Sequence, residues 1–259
     1  MYGAGERGAI MKLEFNPGRD SVVVLLKGGR LPSWGKLSEK ERRTSSHEHV
    51  DLMLGIGKEF GLMRLEGFKL IGPQGDWERF WLIEFPSLEG AEAWIEAEMA
   101  PSYGLYGYYE YFLSRRCAID SISTMPAQPS TPGVVSPRPN PANIPELAED
   151  RSSVVVLLFE RWRPGAEAVP PGERGEDAHL ELMSSLAGEQ SLMRLNAFQL
   201  IDRQNTWHRV VVAEFHTFTA AEIFINAAMD LPRSLYASTT FYLARRWAPE
   251  YFASWVSPR

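Results

Sequence analysis

Two histidines, His47 and His49, stand two residues apart in the segment HEHVDLM. Imidazole titrates near neutral pH, so a histidine here can act as general base or general acid. The pair is poor metal spacing, because positions i and i+2 of a helix face different ways. The plainer role is a structural histidine bonded to a loop carbonyl. Glu84 lies inside the apolar run LIEF, and Glu214 inside VAEF, 130 positions on (84 to 214). A carboxylate in a strand buried on both faces costs free energy unless it is paired. In a barrel lumen its pKa would rise and it could transfer protons. The alternative is a buried salt bridge to Arg64 or Arg79, which recur as Arg194 and Arg209. A third group is the run GLYGYYEYFL, with Tyr106, Tyr108, Glu110 and Phe112. Strand alternation puts Tyr108, Glu110 and Phe112 on one face, and aromatic walls with one carboxylate suit a flat organic ligand. Ordinary aromatic core packing explains the same pattern. Trp34, in LPSWGKL, is placed as a lid or as a surface anchor.

Other chemistries find no support. The chain has no phosphate-binding loop, nucleophile elbow or metal-ligand cluster, so neither serine-based nor phosphoryl chemistry is expected, and no metal. A formal net charge of -6 without a basic run argues against nucleic acid. The single cysteine, Cys117, cannot form an intramolecular disulfide and suits a reducing, cytoplasmic setting. No apolar run approaches the ~20 residues of a membrane span, so no membrane partner is expected.

The elements that must position these residues follow from periodicity. Ser21–Lys27, SVVVLLK, reads as a buried strand. Ser38 and Glu41 have capping-box spacing for a helix start. Along that helix His49, Leu52, Met53, Ile56 and Phe60 form one apolar stripe, and Gly61 suits its C-terminus. Strands follow over 62–71 and 78–85, separated by the turn Pro73–Asp76. A helix over 88–99 and a strand over 106–115 complete the order β-α-β-β-α-β. Residues 1–20 read as a loose tail. Residues 117–150 carry seven prolines from Pro126 to Pro145 and read as a stiff, extended linker.

The order then restarts at Ser153–Leu158, SVVVLL. Between 47–116 and 177–246 about 26 of 70 aligned positions are identical, which marks a duplication. His49 recurs as His179, and LMRL at 62–65 as LMRL at 192–195. The second repeat, over 151–259 with a C-terminal extension, lacks Glu110 and Tyr108, having Thr240 and Ser238. Any pocket is therefore expected in the first repeat, over 21–116. Each β-α-β-β-α-β unit should make a four-stranded antiparallel sheet with both helices on one face. Apolar residues point to both sides of the strands, so the two sheets should pack together as a barrel with a cavity between them.

The segments LIEFPSLEGAEAW and HEHVDLMLGIGKEFGLMRLEGF, with this element order seen twice, resemble the dimeric α/β-barrel superfamily, and within it the EthD-like proteins. The resemblance implies an α+β fold of two ferredoxin-like repeats packed sheet to sheet in one chain. It also implies a small apolar or aromatic ligand, with cofactor-independent proton transfer or oxygenation as the accompanying enzymatic reading and no cofactor. In that reading His49 is the base, Glu84 and Glu110 are polar partners, and Tyr106, Tyr108, Phe112, Arg64 and Trp34 position the ligand. Monooxygenase-like and isomerase-like activities both fall within it, and a homodimer is allowed for. A non-catalytic binding or assembly protein with a filled barrel is the alternative. Haem binding, as in chlorite dismutases, is the third.

Overall fold

Runs of β-branched and aromatic residues alternate into strands here because both faces of each strand find apolar cover. In the computed structural model, which describes residues 21–116, 149–170, 172–175, 185, 192–201, 207–230 and 233–249, the strands are β1 (Val22–Arg30), β2 (Arg64–Gln74), β3 (Trp77–Phe85) and β4 (Gly107–Arg116), then β5 (Asp150–Trp162), β6 (Leu192–Leu200), β7 (Arg209–Phe215) and β8 (Ala237–Arg246). Helix α1 (Glu39–Phe60) starts with the expected capping box: Ser38 Oγ accepts from the Glu41 amide at 3.3 Å, and the Glu41 carboxylate accepts from the Ser38 amide at 2.7 Å. It ends at Gly61, whose φ of 69° is the left-handed conformation glycine adopts without strain. Helix α2 (Leu88–Met99) follows β3, and α3 (Phe218–Asp230) follows β7. A short helix, α4 (Arg233–Tyr236), leads into β8. The expected tail over 1–20, the linker up to residue 148, the helix carrying His179 and the stretch 250–259 lie outside the described residues.

All eight strands pair antiparallel in one closed barrel, in the order β1-β3-β2-β8-β5-β7-β6-β4. Each half contributes one four-stranded run, β2-β3-β1-β4 and β6-β7-β5-β8. The halves join edge to edge along short seams. Phe68–Leu70 pairs with Ala244–Arg246, and Ser114–Arg116 pairs with Phe198–Leu200. Closure removes the unpaired strand edges that two open sheets would leave. Gly29 allows β1 to pass under the β2–β3 turn, since a Cβ there would fall 2.0 Å from the Asp76 carbonyl oxygen.

Three apolar layers result. Outside the first half, Val22, Val24 and Leu26 pack with Met53 of α1 and Trp94 of α2. Outside the second half, Val154, Val156 and Leu158 pack with Phe224 of α3. The lumen is the third layer, holding Val23, Leu25, Phe68, Phe80, Phe112, Phe159 and Phe198, among others. The expected cavity between sheets is thus corrected for the middle of the barrel: phenylalanines from both halves meet there, as in Phe80–Phe159 with ring centroids 5.8 Å apart. Each side chain so buried contributes about 1.5–3 kcal/mol of transfer free energy. Leu52 also departs from expectation. It is 40% exposed, on the solvent side of the α1 stripe that buries His49 and Met53.

Candidate functional site

The structure distributes the candidate residues over three places. Strand alternation decides which go where. On β1, Val23, Leu25 and Lys27 point into the lumen, while Val22, Val24 and Leu26 point to the helices.

The first place is one end of the lumen, where Tyr108, Glu110 and Phe112 of β4 face Lys27 of β1. Lys27 lies opposite Glu110 in the β1–β4 register, and its Nζ is 3.3 Å from Glu110 Oε2. The Tyr108 hydroxyl donates weakly to the same oxygen at 3.4 Å. The ammonium also lies over three rings, 4.6 Å from the centroid of Phe159, 5.1 Å from Phe112 and 5.3 Å from Trp77. Such contacts offset part of its desolvation. The lysine side chain is 7% exposed, whereas that of Glu110 is 33% exposed. The site therefore has a wet carboxylate beside a dry amine. Burial pulls the Lys27 ammonium below the ordinary lysine pKa, and Glu110 restores part of it. Burial, then the Glu110 charge, pushes the Tyr108 and Tyr242 hydroxyls up. Trp77 and Tyr242 meet edge to face at 4.9 Å, and Phe159 meets Trp207 at 5.7 Å, so both halves build the aromatic wall.

The second place is the opposite, ionic end of the lumen. Glu84 accepts from Ser21 Oγ at 2.5 Å and from Arg116 Nε at 2.8 Å. Glu214 repeats this with Ser153 at 2.7 Å and Arg246 at 2.8 Å. The expected salt bridge is present; its close partner is the arginine that ends β4 or β8, and of the arginines expected Arg194 also lies 3.9 Å from Glu214. Arg116 reaches Glu84 because its side chain turns inward at the seam with β6. Arg79 instead faces out, 3.2 Å from Glu78 and over the Trp247 ring. Arg64 binds Glu66, the next inward residue of β2, and donates to Asn196 Oδ1 of β6 across the lumen at 3.1 Å. Arg246 and Arg194 reach Glu66 at 3.3 and 3.5 Å. Burial alone would raise the Glu66 carboxyl; Arg64, Arg246 and Arg194 more than reverse this and bring it down to about 2. This end reads as a structural clamp.

The third place lies outside the barrel, between the first half's sheet and its helices. His49 is buried and its Nε2 lies 3.3 Å from Glu98 Oε2 of α2. Its ring stacks on Tyr103 at 3.9 Å. Arg30 bonds the Tyr103 hydroxyl and sits 4.2 Å over Trp34. Tyr106 is 5.8 Å from Trp34. The adjoining cavity, about 30 Å³, has room for a water molecule. His47 is exposed on α1, so the two histidines do diverge.

The geometry thus brings together Tyr108, Glu110 and Phe112, places Glu84 and Arg64 at the far end, and sets His49, Trp34 and Tyr106 outside the barrel. Lys27, Glu98 and Glu66 were not singled out from the sequence. The alternation Val23, Leu25, Lys27 was the available signal for the first, since a cation ends an otherwise apolar inward series. Among the described residues no cluster of His, Cys, Asp or Glu is suited to a metal ion, and no helix is long and apolar enough to cross a membrane.

The fold has known counterparts. The chain resembles chlorite dismutase from Candidatus Nitrospira defluvii in its imidazole complex, with 10% identity and a TM-score of 0.63, covering 92% of this chain and 95% of that one. A mutant of the same enzyme with cyanide gives 10% and 0.62, over 92% and 95%. A haem-binding protein from Thermus thermophilus gives 14% and 0.60, over 90% and 95%. These neighbours are chlorite dismutase-like proteins of the dimeric α/β-barrel superfamily, and at such identities they establish the fold alone. No family model and no curated protein matches the sequence.

Proposed function

We propose that this chain is a small-molecule-binding barrel whose ligand, an apolar or aromatic compound, sits at the aromatic end of the lumen. The observation that carries this reading is the Lys27–Glu110 pair inside an aromatic wall. A half-buried ion pair contributes little to stability and is a common mark of a functional site. The pair belongs to the first half only. The β1–β3 and β5–β7 registers match Lys27 with Phe159, since they lie opposite Phe80 and Val210 respectively. Glu110 is matched by Thr240 and Tyr108 by Ser238. We also read the two four-stranded runs as duplicated ferredoxin-like units, with the EthD-like affinity as part of the proposal. Titration with benzyl alcohol, followed by the fluorescence of Trp77 and Trp207, tests the site. Saturable quenching is expected, and it should be lost in Trp77→Ala. A linear response shared by that variant would remove the reading.

Haem binding is the second reading, favoured by the haem-binding neighbour. The described residues do not fit that group. The middle of the lumen is occupied by side chains, His49 is engaged by Glu98 and Tyr103, and the cavity that the described residues form beside it is water-sized. A groove of about 370 Å³ between β2 and β8 is lined by Lys69, Leu70, Ile71, Arg245 and Trp247, among others, without a histidine. His179 lies outside the described residues. A Soret band in the purified protein that disappears in His179→Ala would carry the haem reading, and its absence after hemin titration would end it.

A further inference from the structure

Resting on the ligand site proposed above, we infer that Lys27 is a reactive amine that captures a small aromatic aldehyde or ketone as an imine. Three features of the site point the same way. The amine is buried, and desolvation shifts it toward the neutral, nucleophilic form against the pull of Glu110 and of the three rings over which it lies. A carboxylate stands 3.3 Å away, within reach to take the ammonium proton and return it. That carboxylate is solvent-accessible, so the water released has a way out. The walls around the amine present Glu110 and Tyr108 from β4, Trp77 and Phe80 from β3, Phe159 from β5 and Tyr242 from β8. Only Glu110 among them is an acid near the amine, so it alone supplies the proton relay.

The step balances without an oxidant or reductant. Glu110 takes one proton from the Lys27 ammonium, leaving a lone pair on Nζ. That pair attacks the carbonyl carbon, and the C=O π electrons move to oxygen. A second proton passes from nitrogen to oxygen, giving a neutral carbinolamine. Glu110 then returns its proton to the hydroxyl oxygen, the C–O bond breaks and water leaves. The nitrogen lone pair forms the C=N bond of a protonated imine beside the Glu110 carboxylate. One ammonium and one carbonyl compound become one iminium and one water. The ion pair is restored, and the apolar ring of the ligand rests against the aromatic wall.

The test is reductive trapping on the full chain. Benzaldehyde with sodium cyanoborohydride is applied at mildly alkaline pH, and the adduct is located by peptide mass mapping. The expected result is a saturable adduct at Lys27, formed at least tenfold faster than at any surface lysine. It should be absent in Lys27→Met and Lys27→Arg and slowed severalfold in Glu110→Gln. Circular dichroism checks that each variant is folded; Lys27→Arg keeps the charge and serves if Lys27→Met does not fold. Labelling spread evenly over surface lysines, or undiminished total labelling in Lys27→Arg, overturns the inference. Benzyl alcohol separates the two claims, because it has no carbonyl. Quenching by benzyl alcohol without trapping of benzaldehyde leaves the ligand site and removes the imine. Failure of both removes both.

Discussion

At the scale of single residues, Lys27 and His49 make opposite predictions. Burial holds the folded-state pKa of Lys27 below the unfolded value. Between those two values the unfolded chain holds the extra proton, so this group's contribution to stability rises with pH across that window and is least favourable below it. Lys27→Met removes the cost and keeps the volume. Its melting temperature at pH 7 should equal or exceed that of the wild type, with a flatter approach to alkaline pH, while ligand capture is lost. A large loss of stability would mean that the pair serves the fold. His49→Ala should behave in the reverse way. It deletes the ring stacked on Tyr103 and strands Glu98, so denaturant titration should show a loss of about 1–3 kcal/mol, without effect on benzyl alcohol quenching. The sequence made His49 conspicuous, since it repeats as His179 and starts an apolar stripe. Sequence could not show that Glu98, nearly fifty positions away (49 to 98), would be its neighbour across the α1–α2 interface. Glu110 was legible because a carboxylate in an aromatic strand is rare. Lys27 was less so, because a lysine at the end of a strand ordinarily reaches solvent.

The element scale was the most legible. Capping box, glycine stop, strand runs and the helix after β3 all follow from local chemistry, and local chemistry is what periodicity and spacing report. Ser38→Ala should therefore cost about 1 kcal/mol by thermal or chemical denaturation, since it leaves the Glu41 amide without its side-chain acceptor. A change near zero would show that this end of α1 frays in the native state. The misreading of Leu52 has a local cause too. The 3.6-residue period allows an apolar stripe wider than the contact with the sheet, and Leu52 lies at its margin with 40% exposure. The seams were beyond reach of the sequence. Pairing of β2 with β8 and of β4 with β6 joins segments from different halves of the chain, and the strand pattern is the same whether two sheets stack face to face or fuse edge to edge.

At the scale of the whole molecule, closure puts the charges where the seams meet. Arg116 lies on the β4–β6 seam and Arg246 on the β8–β2 seam, and each binds the glutamate of its own half. The ion pairs between halves centre on Glu66, which is fully buried and faces Arg64 of its own half and Arg194 and Arg246 of the other. Its match in the second half is Asn196, so the cluster has one central carboxylate where a symmetric one would have two. This asymmetry leaves a single carboxylate at the Glu66/Asn196 position and makes Glu66 the hub of the ion pairs between the halves. With a folded-state pKa near 2 against an ordinary 4.5, the carboxylate's contribution is fully present above about pH 4.5 and is lost as pH falls through the folded value. At ~1.4 kcal/mol per pKa unit this is of order 3 kcal/mol. The wild-type melting temperature should therefore drop steeply between about pH 5 and pH 2. Glu66→Gln should melt well below the wild type at pH 7, since it leaves the arginines short of a counter-charge, and its curve should be flatter in acid. Amide exchange at the β2–β8 seam, in Leu70 and Ala244, should rise more in this variant than exchange at Leu25 in the middle of β1. If the variant instead keeps the full acid dependence of the wild type, the acid transition does not originate at Glu66, and the halves are held by strand pairing at the seams and by lumen packing more than by this clamp.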